Sequence, residues 1–313
     1  MRLGTGPRLL SRPELSTYDA RLPFGRRHLS ASLVCLHDLL LAAAGLGIRF
    51  YRLAPQIVPV LSAEDLPGFW AQLEQCQDLA RRVGQEASAA GMRLSLHPVL
   101  DVQLGSSDAG IAERGAAVVV AWAALLDCLE MGAETRVVAH IGGGGDGRAK
   151  ERFAGRAAAL PETALRRLAI ENDERHGRLE DALWLHRRLG TAMVWDYLHW
   201  RCLNASGEGA SEAYLAATAT WPARVRPKLH FSSPSTARRT GCARDRLPAC
   251  REHADFIDPF AFLDFHALVG ADCDVMLEGR GKELALLKLR GDLAGLGCGH
   301  LEEGDATPLR LSA

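Results

Sequence analysis

No two of the eight cysteines (Cys35, Cys76, Cys128, Cys202, Cys242, Cys250, Cys273 and Cys298) are spaced as CxxC. They are scattered, several within apolar stretches. This reads as reduced thiols rather than a disulfide framework. The first residues, Met1-Arg-Leu-Gly-Thr-Gly, lack an apolar signal region, and no apolar run is expected to reach the length of a membrane span. A soluble, cytoplasmic, monomeric protein that avoids membranes is therefore expected. Charge of one sign is missing too: the formal net charge is −1. No global field draws the chain to nucleic acid, so such binding must come from a local patch. A glycine run at Gly142–Gly145 is not followed by Lys-Ser/Thr, which excludes a P-loop.

What the chain does have is 313 residues that are 48% hydrophobic, enough for a sizeable core. Apolar runs that suit strands recur at 2–4, 48–53, 92–96, 135–139, 168–170, 192–195, 226–229 and 274–277. Helical periodicity fills the intervals at 31–44, 66–90, 111–130, 150–159, 179–189, 211–220, 259–269 and 284–293. Strand and helix alternate eight times, the pattern of parallel βαβ units. A single (β/α)8 TIM barrel over residues 1–295, with a C-terminal tail at 296–313, accounts for the count and the length.

The last six strand candidates run in order into His97, His140, Glu171, Asp196, His230 and Glu278. In a barrel these ends meet on one face, and that face carries the active site. One polar residue at a strand end is ordinary and usually a satisfied structural group. Six consecutive imidazoles and carboxylates point instead to a shared metal centre. With no thiolate among them, Mn²⁺, Zn²⁺ or Fe²⁺ suits the set better than a structural zinc does. Lys228 lies two residues before His230, so both should face the same side of their strand.

Through these residues the sequence resembles the UV damage endonuclease family of metal-dependent (β/α)8 nucleases. The matching segments are Arg52-Leu53 with Val58-Pro59, Leu94–Pro98, Val138–Gly143, Ile170–Glu174 and Val194–His199. Pro227–Ser233, Glu252–Asp255, Asp274–Glu278 and Gly281-Lys282-Glu283 complete them. The resemblance implies that His97, His140, Glu171, Asp196, His199, His230, His253 and Glu278 hold two or three ions. Mn²⁺ is the expected metal, with Zn²⁺, Mg²⁺ or Fe²⁺ as alternatives. It implies that Lys228 is an active-site lysine, carboxylated in the family, and that Lys228, Glu171 and Glu278 are catalytic. The substrate implied is duplex DNA, damaged or distorted. Such a cluster suits phosphodiester hydrolysis, because adjacent divalent ions stabilise the attacking and leaving oxygens together.

The chain departs from the family at several positions. Ala63 stands where a histidine is usual, Thr5 where a tyrosine is usual and Leu9 where an asparagine is usual. Leu100 and Asp101 replace a Gln-Tyr pair that probes the lesion. Thr5, Leu100 and Asp101 are thus the expected substrate-facing positions, and metal residues match better than lesion-reading ones. An insertion at 232–253 carries Arg238, Arg239, Arg244, Arg246 and Arg251. It follows a barrel strand, so Arg238 and Arg239 are placed to contact phosphates; the alternative is a solvated loop. Cys242, Cys250 and His253 match no standard zinc-finger spacing. The reading favoured is a metal-dependent endonuclease of DNA repair with altered lesion recognition. One alternative is a divergent barrel enzyme, phosphoesterase or sugar isomerase-like, acting on a small substrate. Another is a non-catalytic nucleic-acid-binding descendant.

Overall fold

Eight parallel strands pair in chain order and close on themselves: β1 (Leu3–Thr5), β2 (Phe50–Leu53), β3 (Arg93–Leu96), β4 (Val137–His140), β5 (Leu168–Glu171), β6 (Ala192–Asp196), β7 (Lys228–Phe231) and β8 (Asp274–Leu277). The closing contact places Leu3 beside Val275 and Gly4 beside Met276. The structure is a computed structural model that describes residues 1–15, 28–98, 102–143, 146–204, 206–237 and 248–301. The expected (β/α)8 barrel is therefore present. Its strands are buried on both faces, which is why they read as apolar runs rather than as alternating ones.

Around the barrel lie α1 (Leu29–Gly45), α2 (Leu66–Gln75), α3 (Gln77–Ala89), α4 (Ala109–Cys128), α5 (Ala149–Ala158), α6 (Glu162–Arg167), α7 (Leu179–Leu189), α8 (Tyr197–Cys202), α9 (Ala210–Thr218), α10 (Pro259–Val269) and α11 (Lys282–Gly295). Local signals set several boundaries. Gly190, at φ 68°, ends α7 in the left-handed region that favours glycine. Asp258 accepts from the backbone of Phe260, and Pro259 opens α10.

Three readings need correction. The expected helix over 66–90 is two helices, broken where Cys76 leaves helical geometry at φ −104° and ψ 7°. The short helices α6 and α8 have no counterpart among the expected helices. And one described helix, α4, is long and apolar enough to cross a membrane by length and composition alone. In this fold α4 lies in the helix layer, with Val119, Trp122, Leu125 and Leu126 buried. The residues after α11 fold back on it: Cys298 N–H donates to Leu293 O at 2.7 Å, and Gly299–Leu301 form a 3-10 turn. Residues 302–313 of the expected tail lie outside the described residues.

The N-terminal end of the barrel is plugged by charge. Arg93 opens β3 and Asp274 opens β8, and both side chains are fully buried, with Arg93 Nη1 to Asp274 Oδ2 at 2.9 Å. Arg2 binds the same oxygen at 2.7 Å. The Arg93 guanidinium lies 5.2 Å from the Phe50 ring centroid and 5.5 Å from that of Trp221. A charge buried this deeply is tolerated only when paired and hydrogen-bonded. The plug leaves the opposite end, where the strands exit, as the open mouth.

Candidate metal centre at the barrel mouth

Each expected ligand is delivered to that mouth by the element before it. His97 follows β3, His140 and Glu171 end β4 and β5, Asp196 ends β6, His230 sits inside β7, and Glu278 follows β8. His199 arrives differently. Asp196 Oδ1 accepts the His199 backbone N–H at 2.7 Å and caps α8, which turns His199 back over the barrel. His253 comes from the insertion after β7. A bridge between Pro234 and His253, with Ala254 N–H donating to Ser233 O at 2.8 Å, draws the two ends of that insertion together.

Three overlapping groups of donor atoms result, each confined within 4.8 Å: His97, Glu171 and His230; His199, His253 and Glu278; and Glu171, Asp196, His230 and Glu278. His140 stands beside them, its ring centroid 4.8 Å from that of His97. Glu171 bridges two histidines, at 2.8 Å to His97 Nε2 and 2.8 Å to His230 Nδ1.

The outer nitrogens explain the orientation. His97 Nδ1 lies 3.1 Å from Val138 O, His199 Nδ1 3.2 Å from Asn172 O, and His253 Nδ1 3.0 Å from Glu278 O. A carbonyl only accepts, so each Nδ1 carries a proton, and in the neutral ring Nε2 is the nitrogen left to bind a metal. His199 Nε2 and His253 Nε2 face one another at 3.2 Å. His140 Nδ1, Asp196 Oδ2 and His230 Nε2 are buried without a hydrogen-bond partner. Buried polar atoms without a partner are costly unless a ligand such as a cation satisfies them. The donor set therefore fits divalent metal.

Charge in this cluster is strongly coupled to burial. Burial pushes the His97 imidazole down to about 4, against the pull of Glu171. Burial would also lower His199, but Asp196, Glu171, Glu278 and Glu174 together raise it to about 9. Burial alone would raise Glu171, yet His230, His97 and His140 hold it well below the usual carboxylate range. Glu278 is held low against burial by His230 and Arg52, whose guanidinium contacts it. Asp196 goes the other way, raised by burial and then by Glu171 and Glu278, with His199 opposing. Lys228 is fully buried and donates to Ser95 Oγ at 2.5 Å. Burial lowers its ammonium to about 7, with Arg93 and Arg52 adding repulsion and Glu171 opposing.

The expected substrate positions fare differently. Thr5 is fully buried at the end of β1 and offers no surface to a ligand. Leu100, Asp101, Arg238, Arg239, Arg244, Arg246 and Cys242 lie outside the described residues. Arg251 does line the mouth, a cavity of about 400 Å³ that also includes Arg52, Glu174, Arg280 and Lys282. Those last four were not assigned roles from the sequence, nor was Asn172. The Asn172 side chain donates to Asp196 O at 3.0 Å and accepts from Asp196 N–H at 2.9 Å, fixing the exit of β6. Two of these positions carry a signal in the sequence: Asn172 directly follows a strand-end carboxylate, and Glu174 lies three residues after it. In the glycine run, Gly143 takes φ 63° and packs so closely that a Cβ would meet Gly105 O at 2.2 Å. That glycine serves backbone packing.

Fold and mouth together define a (β/α)8-barrel enzyme with its site at the C-terminal ends of the strands. The UV-endonuclease UvdE family model matches residues 28–299. The chain belongs to that family. It is 30% identical over 254 residues to the UV DNA damage endonuclease of Halalkalibacterium halodurans, covering 79% of this chain and 75% of that protein. The UV DNA damage endonuclease of Bacillus pumilus is 28% identical over 277 residues, 86% of this chain and 82% of the relative. Among solved structures, SacUVDE superposes with a TM-score of 0.77 at 25% identity, over 95% of this chain and 99% of that one. Endonuclease IV from Thermus thermophilus shares the fold, with a TM-score of 0.55 at 18% identity over 83% of this chain and 94% of that one.

Proposed function

We propose that this protein is a divalent-metal-dependent endonuclease of DNA repair that hydrolyses phosphodiester bonds beside damaged bases. Family membership supports the reaction class. The observation that supports metal dependence is the set of histidines whose Nδ1 atoms are tied to carbonyls, within three groups of donor atoms each confined to 4.8 Å. His97, His140, Glu171, Asp196, His199, His230, His253 and Glu278 are the proposed ligands of two or three ions, with Mn²⁺ the preferred metal. When bound, such ions supply Lewis-acid stabilisation of the charge on the attacking and leaving oxygens. The protein's own part is positional. Glu171 and Glu278 offset clustered positive charge, Arg52 holds Glu278 in place, and the carbonyl-bonded histidines are pre-set in tautomer and direction. Lys228, with a pKa near neutrality beneath the cluster, can hold or release a proton at Nζ while Ser95 fixes its position.

Lesion recognition is proposed to be shifted. Thr5 is fully buried at the exit of β1 and presents no ring to a base, and Asp101 brings a carboxylate where a stacking ring and an amide would stabilise unstacked bases. The test is a nicking assay with Mn²⁺-loaded protein on one duplex sequence carrying a photoproduct, an abasic site or no lesion. Nicking of the abasic duplex at least as fast as the photoproduct duplex is expected. A strong photoproduct preference would overturn the shift and leave the endonuclease reading intact. No nicking of any duplex would overturn both.

A further inference from the structure

The loop from β8 to α11 places a lysine where lysine is unfavourable. Lys282 takes φ 50°, in the left-handed region where a Cβ crowds the backbone. The conformation is imposed by its surroundings. Arg280 N–H donates to Ala254 O at 3.0 Å, Gly281 N–H to Asp255 O at 2.8 Å, and Lys282 N–H back to Gly279 O at 3.1 Å. Gly281 cannot carry a side chain, since a Cβ there would lie 2.7 Å from Asp255 O. The segment that delivers His253 thus clamps this loop. Glycine would take the dihedral at 282 without cost, yet the chain keeps a long cationic side chain there. Sparsely populated backbone conformations held by surrounding structure concentrate at functional sites.

The side chain lines the mouth beside the ligand cluster. The cations Arg52, Arg8 and Arg280 act on it, opposed by the carboxylate of Glu278. Arg52 already contacts that Glu278, and Arg280 is engaged by Asp255 at 3.0 Å and Ser235 at 3.1 Å. Among the described residues, Lys282 itself makes no salt bridge and no side-chain hydrogen bond. A half-buried ammonium among cations and without a committed partner is unfavourable in isolation and favourable once an anion arrives.

Resting on the endonuclease reading, we infer that Lys282 binds a backbone phosphate of the DNA strand entering the mouth, beside the metal cluster. It contacts substrate and holds no metal. It contributes to capture of the strand rather than to the bond-breaking step, and the strained backbone at 282 is retained for it.

The experiment uses the full chain loaded with Mn²⁺. Lys282→Met, Lys282→Arg and Lys282→Gly are compared with the parent on duplexes carrying one abasic site or one photoproduct, across a range of KCl concentrations. Lys282→Met is expected to raise KM about tenfold with kcat within about twofold, and to reduce the slope of log(kcat/KM) against log salt by about 0.9, the loss of one phosphate contact. Lys282→Arg should restore that slope. Lys282→Gly should lose the contact like Lys282→Met but melt at a higher temperature than the parent, because glycine relieves the dihedral. Bound metal should be the same in all four proteins. Unchanged KM and salt slope in Lys282→Met would overturn the inference. So would lost metal, or a lowered melting temperature in Lys282→Gly, since either makes Lys282 a structural part of the site. A parent protein that nicks neither duplex would instead sink the endonuclease reading on which this rests, and that result is read without any variant.

Discussion

Glu171 sits at the centre of the cluster, fully buried and within 2.8 Å of both His97 and His230. In the proposed metal centre its value would lie in its charge, because an amide of the same shape cannot offset clustered cations. Glu171→Gln and Glu278→Gln should each reduce bound metal and lower nicking by roughly a hundredfold or more, with the far-ultraviolet circular dichroism unchanged. Full activity with unchanged metal content in both would remove them from the site. Lys228 makes a separate claim. Its ammonium is depressed to about 7 in the folded protein by burial, against 10.5 as the ordinary value. Folding therefore disfavours the protonated form. The penalty is fully present below the folded pKa and is relieved as pH rises toward 10.5, where the unfolded chain still binds the extra proton. Metal-free protein should gain urea stability relative to Lys228→Met between about pH 7 and 9, while the variant loses rate by about tenfold or more. Parallel stability profiles for the two proteins would show that Lys228 is not a desolvated cation.

At the level of elements, the plug at the far end of the barrel is where stability is most exposed to a single change. Burial would raise the Asp274 carboxyl, but hydrogen bonds from Arg2 and the buried charge of Arg93 hold it below the usual range. Its contribution is present above the ordinary pKa of 3.8 and is lost as pH falls through the lower folded value. Asp274→Asn leaves Arg93 buried without its carboxylate and should cost about 3 kcal/mol in urea unfolding at pH 7. A cost below about 1 kcal/mol would show that the carbonyls around Arg93 and its aromatic neighbours suffice. The elements also show what was legible in the sequence. α7, α10 and β8 were readable to the residue, because Gly190, Pro259 with Gly270, and an apolar run ending in Glu278 mark them. The break at Cys76 was not, since no glycine or proline stands there and the apolar period continues through it. α6 and α8 are six residues each, too short to show a period. For α8 the one available clue is Asp196 as a capping residue, and His199 enters the expected ligand set through the family resemblance, without the helix that carries it.

On the scale of the whole molecule, the barrel turns six separate strand ends into one mouth, which is why the candidate site is legible in the sequence. Strand-end positions need only the alternation of elements, and the chain order of His97, His140, Glu171, Asp196, His230 and Glu278 survives into the structure. What the sequence hid is the support around them. Nδ1–carbonyl bonds, the Asn172 lock on β6 and the contact of Arg52 with Glu278 all arise between elements distant in the chain. The rim cations were equally hidden, because Arg52, Arg280 and Lys282 gain meaning only from the space they face. The central claim is that this mouth holds divalent metal and that hydrolysis depends on it. Its most direct test is elemental analysis of the purified protein together with nicking of a damaged duplex, before and after chelation and after Mn²⁺ is returned. The account predicts at least two ions per chain, loss of nicking on chelation and recovery with Mn²⁺. Metal-free protein that nicks at the rate of the loaded protein would contradict it.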